Sequence, residues 1–366
     1  MNLLIMMPGW LGDVAMAMPT VCALRQHYAD ARLTVLIRPH LRPVVESCPW
    51  IDRVITTRLG ERDKRGIRQK MSAMRLGCRL RGRGRFDMAI ILPNSFRSAL
   101  AARVGGIPRR VGYDRDVRRF LLTDRIAPPR DDAGEYIHYS TRDYYLDLAK
   151  FVGCVDPDPD LLLFTKPEND ARAGVVLDEA GLTSEKPLVL LAPGANFGDA
   201  KMYSPDRFAA VGDRCVKELG AFVAVTGAPS EKAILDRVVA AAKQPMVNLQ
   251  SFDVDLTLLK SIFKRAKLLV TNDSGSRHLA ISFDVPTVTI FGPTDPDWTE
   301  LNCSFERKVK VDVDCRPCQQ KTCPLAGTPQ ELQCMKLIEV DDVFGHAIDL
   351  MNGPQSHGSQ NSVVGA

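Results

Sequence analysis

Short aliphatic runs, each followed by a turn rich in Gly, Pro, Asn or Asp and then by a helical pattern, recur along most of the chain. In the first half they fall at residues 3–7, 33–37, 53–55, 88–92 and 110–113, and in the second at 188–191, 222–226, 246–249, 268–271, 287–291 and 309–313. Helical patterns lie between them, as at 14–28, 205–218, 230–242, 256–266 and 275–283. Strands separated by helices require right-handed crossovers and parallel sheets. Strands that are apolar throughout suit sheets covered on both faces. The predicted class is α/β.

The alternation lapses between residues 154 and 187, where Asp156-Pro157-Asp158-Pro159-Asp160 is stiff and polar, and then resumes. A chain of 366 residues also exceeds one ordinary core. The reading is therefore two Rossmann-like domains, 1–165 and 187–350, a linker over 166–186, and a disordered tail over 352–366. No internal sequence repeat is visible. In open parallel sheets ligands bind beyond the carboxyl ends of the strands, so a crevice between the halves is the expected site.

Composition narrows the classes further. The chain is 45% hydrophobic and 25% charged with a net charge of +4, unlike a disordered or collagenous protein or a small disulfide framework. No apolar run approaches the roughly 18–20 residues of a membrane span. Residues 3–7 lack a basic lead-in and break at Pro8-Gly9, so they do not read as a signal peptide, and a cytoplasmic protein is expected. Residues 58–85 hold eleven Lys or Arg against two acids, Glu61 and Asp63. So dense a basic stretch suits an anionic membrane surface, a phosphorylated substrate or nucleic acid; a solvated helix face is the plain alternative. No aromatic side chain interleaves with it, which argues against single-stranded nucleic acid. Arg75, Arg79, Arg81, Arg83 and Arg85 are the candidate contacts.

Three strand-to-helix junctions can carry chemistry. Pro8-Gly9-Trp10-Leu11-Gly12-Asp13 has neither the dinucleotide fingerprint nor the P-loop spacing. It does place a carboxylate, Asp13, at a helix start, where it is either an N-cap or a general base kept ionised by the helix dipole. The 193–201 loop contains Gly194, Asn196 and Lys201, which suits a pyrophosphate as well as it suits an exposed surface turn. Thr271-Asn272-Asp273-Ser274-Gly275-Ser276-Arg277-His278 joins a strand to a helix, an arrangement that binds anions. Asp273 can accept from sugar hydroxyls, while a histidine such as His278 is more often simply packed. With the edge at 291–296, these junctions favour a nucleotide diphosphate.

The set Gly9-Trp10-Leu11-Gly12-Asp13, the 193–201 loop, Gly227-Ala228-Pro229-Ser230-Glu231, 271–278 and 291–295 resembles glycosyltransferase family 9, in order and spacing, from residue 1 to about 345. The resemblance implies a GT-B fold with an N-terminal acceptor domain and a C-terminal donor domain. It implies inverting, metal-independent transfer of heptose from ADP-heptose to the inner core of nascent lipopolysaccharide, an anionic lipid met at the inner face of the cytoplasmic membrane, with no cofactor. Asp13 matches the general base, Lys201 the phosphate-binding lysine and Glu231 a glutamate near the nucleoside sugar. Asp273 matches the aspartate holding heptose hydroxyls, with backbone donors from Ser274, Gly275 and Ser276 and with His278 closing the motif. The chain departs from the family at Ser276-Arg277, where an apolar pair is usual, and at Met202-Tyr203, where a basic residue and tryptophan are. A nucleotide-sugar epimerase and a non-enzymatic nucleotide-sugar binding protein are the rival readings.

Ten cysteines complete the picture. Five are scattered and read as small apolar packing residues. Cys315, Cys318, Cys323 and Cys334, with Cys303 just before them, have a spacing that suits free thiols, a structural zinc or an iron–sulfur cluster. In a reducing cytosol, lasting disulfides are not expected among them.

Overall fold

The computed structural model of the chain describes residues 1–59, 67–195 and 197–353. Asn196, residues 60–66 of the basic stretch, and all of the expected tail beyond residue 353 lie outside the described residues. The chain forms two compact units, 1–164 with 297–301 and 165–296 with 302–366.

The first unit runs β1 (Asn2–Met6), α1 (Leu11–His27), β2 (Arg32–Ile37), α2 (Arg42–Val45), β3 (Arg53–Thr56), α3 (Ile67–Gly82), β4 (Met88–Ile91), α4 (Phe96–Val104), β5 (Arg109–Tyr113), β6 (Asp124–Ile126) and α5 (Thr141–Phe151). Its six strands are all parallel, in the order β3-β2-β1-β4-β5-β6. Leu3, Leu4 and Ile5 of β1 are wholly buried, as a central strand covered on both faces demands. Beneath the sheet, Ala73, Leu76 and Leu80 of α3 meet Ala99, Ala101 and Ala102 of α4 in one core. The edge strand β6 escaped the sequence reading because Asp-Arg-Ile carries no apolar run.

The second unit runs α6 (Pro167–Glu179), β7 (Leu188–Ala192), α7 (Pro205–Leu219), β8 (Phe222–Val225), α8 (Lys232–Ala241), β9 (Val247–Asn248), α9 (Leu256–Phe263), β10 (Leu268–Asn272), α10 (Gly275–Ile281), β11 (Thr287–Ile290), β12 (Glu306–Val309), α11 (Gln333–Lys336) and α12 (Val340–Asn352). Its strand order, β12-β11-β10-β7-β8-β9, is the first unit's order repeated. Both are doubly wound with a switch point beside the first strand. The stretch read as a linker, 166–186, carries α6, which packs on α9.

Local signals explain the helices. Ser204 caps α7 by accepting from the Arg207 amide, Pro205 occupies the first turn, and Gly220 ends the helix at φ 60°. The last strand lies earlier than the aliphatic run at 309–313 suggests, because its first residue, Glu306, is polar yet drawn inward by a buried partner. No described helix is long and apolar enough to cross a membrane.

Candidate active site

In the first unit the turn after β1 opens onto a cavity of about 340 Å³. Gly9 lets the Arg38 guanidinium lie against the turn: a Cβ there would come within 2.6 Å of its central carbon. Arg38 Nη1 donates to the Gly9 carbonyl at 3.0 Å, holding the turn in place. Trp10, in extended conformation, occupies the N-cap of α1 without a capping side chain. Asp13 is thus the third helical residue and not the N-cap.

Asp13 stands in the cavity wall with Trp10, Asn94, Arg115, Tyr144 and Trp298. Burial raises its carboxyl from 3.8 to about 6. The helix dipole expected to keep it ionised is therefore outweighed by desolvation, leaving a carboxyl poised near neutrality. Tyr145 is pushed up by burial and further by the neighbouring Asp13 charge.

The other walls escaped sequence reading. Tyr113 and Tyr144 stack with centroids 3.6 Å apart, and the Tyr113 hydroxyl donates to the Tyr144 carbonyl at 3.0 Å. Asn94 Oδ1 accepts from Tyr144 at 3.2 Å and from the buried Arg118 at 3.1 Å. Arg115 and Arg130 sandwich the Tyr136 ring, their guanidinium carbons 3.9 and 4.0 Å from its centroid. Trp298 arrives from far along the chain: the Thr141 hydroxyl donates to its carbonyl at 2.9 Å and Ser140 to that of Glu300 at 2.7 Å. The density of tyrosines between Tyr136 and Tyr145 was the one available signal.

The second unit gathers the remaining candidates at the carboxyl ends of β7, β8 and β10. Lys201 is buried rather than mobile: its Nζ donates to Asp273 Oδ2 at 2.5 Å and to the Asp273 carbonyl at 3.3 Å. Thr294 donates to the same carboxylate oxygen at 2.8 Å. Burial alone would raise the Asp273 carboxyl, but the Lys201 and Arg277 charges and these hydrogen bonds hold it below the usual range. The surface-turn alternative for Lys201 is excluded.

Glu231 lies between two glycine turns. Its Oε2 accepts from the Ala228 amide at 2.7 Å, and a Cβ on Gly194 would overlap its carboxylate. Burial raises its carboxyl, opposed by that amide. Ser274 is the N-cap of α10, its hydroxyl 3.2 Å from that of Thr271, and no side chain caps the helix. Gly275 and Ser276 are its first two residues. His278 is buried, with neither ring nitrogen hydrogen-bonded within the chain, and burial together with the Arg277 charge lowers it to about 3. It is a neutral imidazole at physiological pH.

Both family departures have structural accounts. Arg277, fully buried, donates to Glu306 at 2.5 and 2.9 Å, while Thr289 donates to Glu306 at 2.6 Å. Tyr203, also buried, donates its hydroxyl to the Ile338 carbonyl at 3.1 Å, and its amide donates to Asn272. Both residues are core struts of the second unit. The five basic candidates lie elsewhere: Arg75, Arg79, Arg81, Arg83 and Arg85 are exposed on or just after α3.

Two doubly wound parallel units of one topology are the GT-B architecture, one that glycosyltransferases use. A model of glycosyltransferase family 9 (heptosyltransferase) matches residues 73–328. Lipopolysaccharide heptosyltransferase 2 of Salmonella typhimurium is 29% identical over 306 residues, 82% of this chain and 85% of that protein. Lipooligosaccharide heptosyltransferase 2 of Campylobacter jejuni is 24% identical over 359 residues, 96% of this chain and 98% of that protein. The solved ADP-heptose lps heptosyltransferase II of E. coli superposes with a TM-score of 0.76 at 25% identity, covering 96% of this chain and 98% of that one. The chain belongs to glycosyltransferase family 9.

Proposed function

We propose that this enzyme transfers heptose from ADP-heptose to the inner core of nascent lipopolysaccharide, with Asp13 as general base. The observation that carries the reading is a carboxyl of raised pKa, about 6, in the wall of a sugar-sized aromatic cavity. Asp13 takes the proton of the acceptor hydroxyl as its oxygen bonds to the anomeric carbon. The bond from that carbon to the diphosphate oxygen breaks, ADP leaves with the electron pair, and configuration inverts. Tyr139, Tyr144 and Trp298 in the cavity wall suit sugar faces, and Arg115 suits an anionic acceptor.

The donor falls to the second unit. Lys201, Gly194, Glu231 and the 273–278 turn serve the diphosphate and its two sugars, and Asn196 belongs to the same loop. Lys201 meets the diphosphate from within its ion pair with Asp273, which fixes the ammonium before the donor arrives. The exposed arginines after residue 74 serve an anionic membrane face, making the enzyme peripheral there, with no part in nucleic-acid binding. Among the rivals, a sugar-binding protein has no use for a poised base.

Asp13→Asn decides between transfer and binding alone. Turnover should fall by roughly 10²–10⁴ while ADP affinity, by calorimetry, stays within a few-fold. Unchanged product formation, followed by mass spectrometry with ADP-heptose and a truncated core lipid, would reject Asp13 as the base.

A further inference from the structure

Residues 310–332, between β12 and α11, contain no helix or strand, and none of their side chains is fully buried. A structureless loop of this length is uncommon in a compact unit and needs something to hold it. Its ends are tied, through Val311 and Val313 at one side and Cys334 and Met335 at the other, to the core of the second unit. Among the described residues, none between 314 and 332 belongs to that core.

Four cysteines stand where such a tie is needed. Cys315, Cys318, Cys323 and Cys334 line one cavity of about 10 Å³ together with Ala200 and Pro293. That is room for about one water-sized occupant. Two of the sulfurs already accept hydrogen bonds, Cys323 from the Leu332 amide at 3.4 Å and Cys315 from Gln333 Nε2 at 3.7 Å. Such donors stabilise thiolate and orient it.

The loop also leans on the turn that carries Lys201. The Ala200 amide donates to the Lys321 carbonyl at 3.2 Å, and a Cβ on Gly198 would overlap that same carbonyl. Arg316 donates to the Gly292 carbonyl at 2.7 Å, and the Gln319 amide to that of Pro293 at 2.9 Å. Phe197 lies under both ammonium groups, 4.7 Å from Lys201 and 5.7 Å from Lys321.

We propose that Cys315, Cys318, Cys323 and Cys334 bind one divalent ion of the zinc class as a tetrathiolate, and that this ion pins the 310–332 loop beneath the Lys201 turn. Among the described residues no three of these sulfurs lie within 4.8 Å of one another. A tetrahedral ion with bonds of about 2.3 Å spaces its sulfurs roughly 3.8 Å apart. Uptake of the ion therefore draws the loop inward and releases the thiol protons. The effect on donor binding rests on the reading of the second unit given above; the metal site itself does not.

The test uses the full chain, stripped with chelator under a non-thiol reductant and titrated with Co(II). Expected is the intense visible absorption of tetrahedral cobalt thiolate, saturating at one ion per chain and displaced by Zn(II). Cys318→Ser with Cys323→Ser should abolish it, whereas Cys78→Ser, in the first unit, should not. On the unmodified protein, loading should slow amide exchange across 310–332, and ADP should bind several-fold more tightly than to the stripped form. Absence of the cobalt–thiolate spectrum, or its persistence in the double variant, overturns the site. A full spectrum with unaltered exchange across the loop overturns the pinning. Should ADP fail to bind even the loaded protein, the donor reading falls while the cobalt spectrum still decides the metal site.

Discussion

Asp13 carries two pH dependences of opposite sense. Its folded pKa, about 6, lies above the unfolded 3.8, so the folded state holds the proton more tightly. The stability this group contributes is complete below about pH 4 and is lost as pH rises through 6. With Asp13 as the proposed base, catalysis runs the other way, since a base must be ionised: turnover should climb through about pH 6 and level off above it. Asp13→Asn, a mimic of the protonated form, should melt higher than the parent at pH 7.5 and converge with it near pH 4. A scan of melting temperature against pH checks the sign. The Lys201–Asp273 pair poses a different problem, because removing one partner strands a buried charge at a cost of roughly 3–5 kcal/mol. Lys201→Met should therefore lose both stability and ADP affinity. Adding Asp273→Asn should recover much of the stability, by urea unfolding, but none of the affinity. Joint recovery would make the lysine structural.

At the scale of the element, α3 has two separable faces. Its apolar face depends on close approach to α4: a Cβ at Gly77 would stand 2.6 Å from that of Val104. Gly77→Val should cost about 1–3 kcal/mol by overpacking, read as a lower urea midpoint. The arginines touch none of that core. Replacing four of Arg75, Arg79, Arg81, Arg83 and Arg85 with glutamine should leave the midpoint unchanged and weaken binding to anionic liposomes, each basic residue being worth on the order of 1 kcal/mol there. Transfer to a soluble, delipidated acceptor should survive, and added salt should mimic the substitutions on the parent protein. Equal loss on lipid and soluble acceptors would instead place these arginines at the acceptor site.

Across the whole molecule the same six-strand order occurs twice, without a repeat that the sequence reveals. Their strand ends carry different chemistry, an acid after β1 in one and a buried cation after β7 in the other, and the proposed division of acceptor and donor rests on that difference. ADP alone should therefore slow amide exchange in 194–201, 227–231 and 272–278 and leave 9–13 unchanged. Protection of the 9–13 turn by ADP, measured by exchange and mass spectrometry, would break that division.

Much of this was legible in the chain itself, for a definite reason. Parallel strands buried on both faces are rich in aliphatic residues, so ten of the twelve strands among the described residues announce themselves by local composition. The glycine turns after β1, β7 and β10 were equally plain, since close backbone approach admits few other residues. Strands β6 and β12 were missed or displaced because one is a short polar edge and the other begins with Glu306, whose burial makes sense only beside Arg277. What the tertiary structure alone decided is electrostatic. How far the Asp13 carboxyl is raised toward neutrality depends on how much water the cavity walls exclude. Whether Lys201 is mobile depends on Asp273, 72 residues away. Local sequence carries geometry within a few residues, but desolvation and charge pairing are sums over whatever the fold brings near.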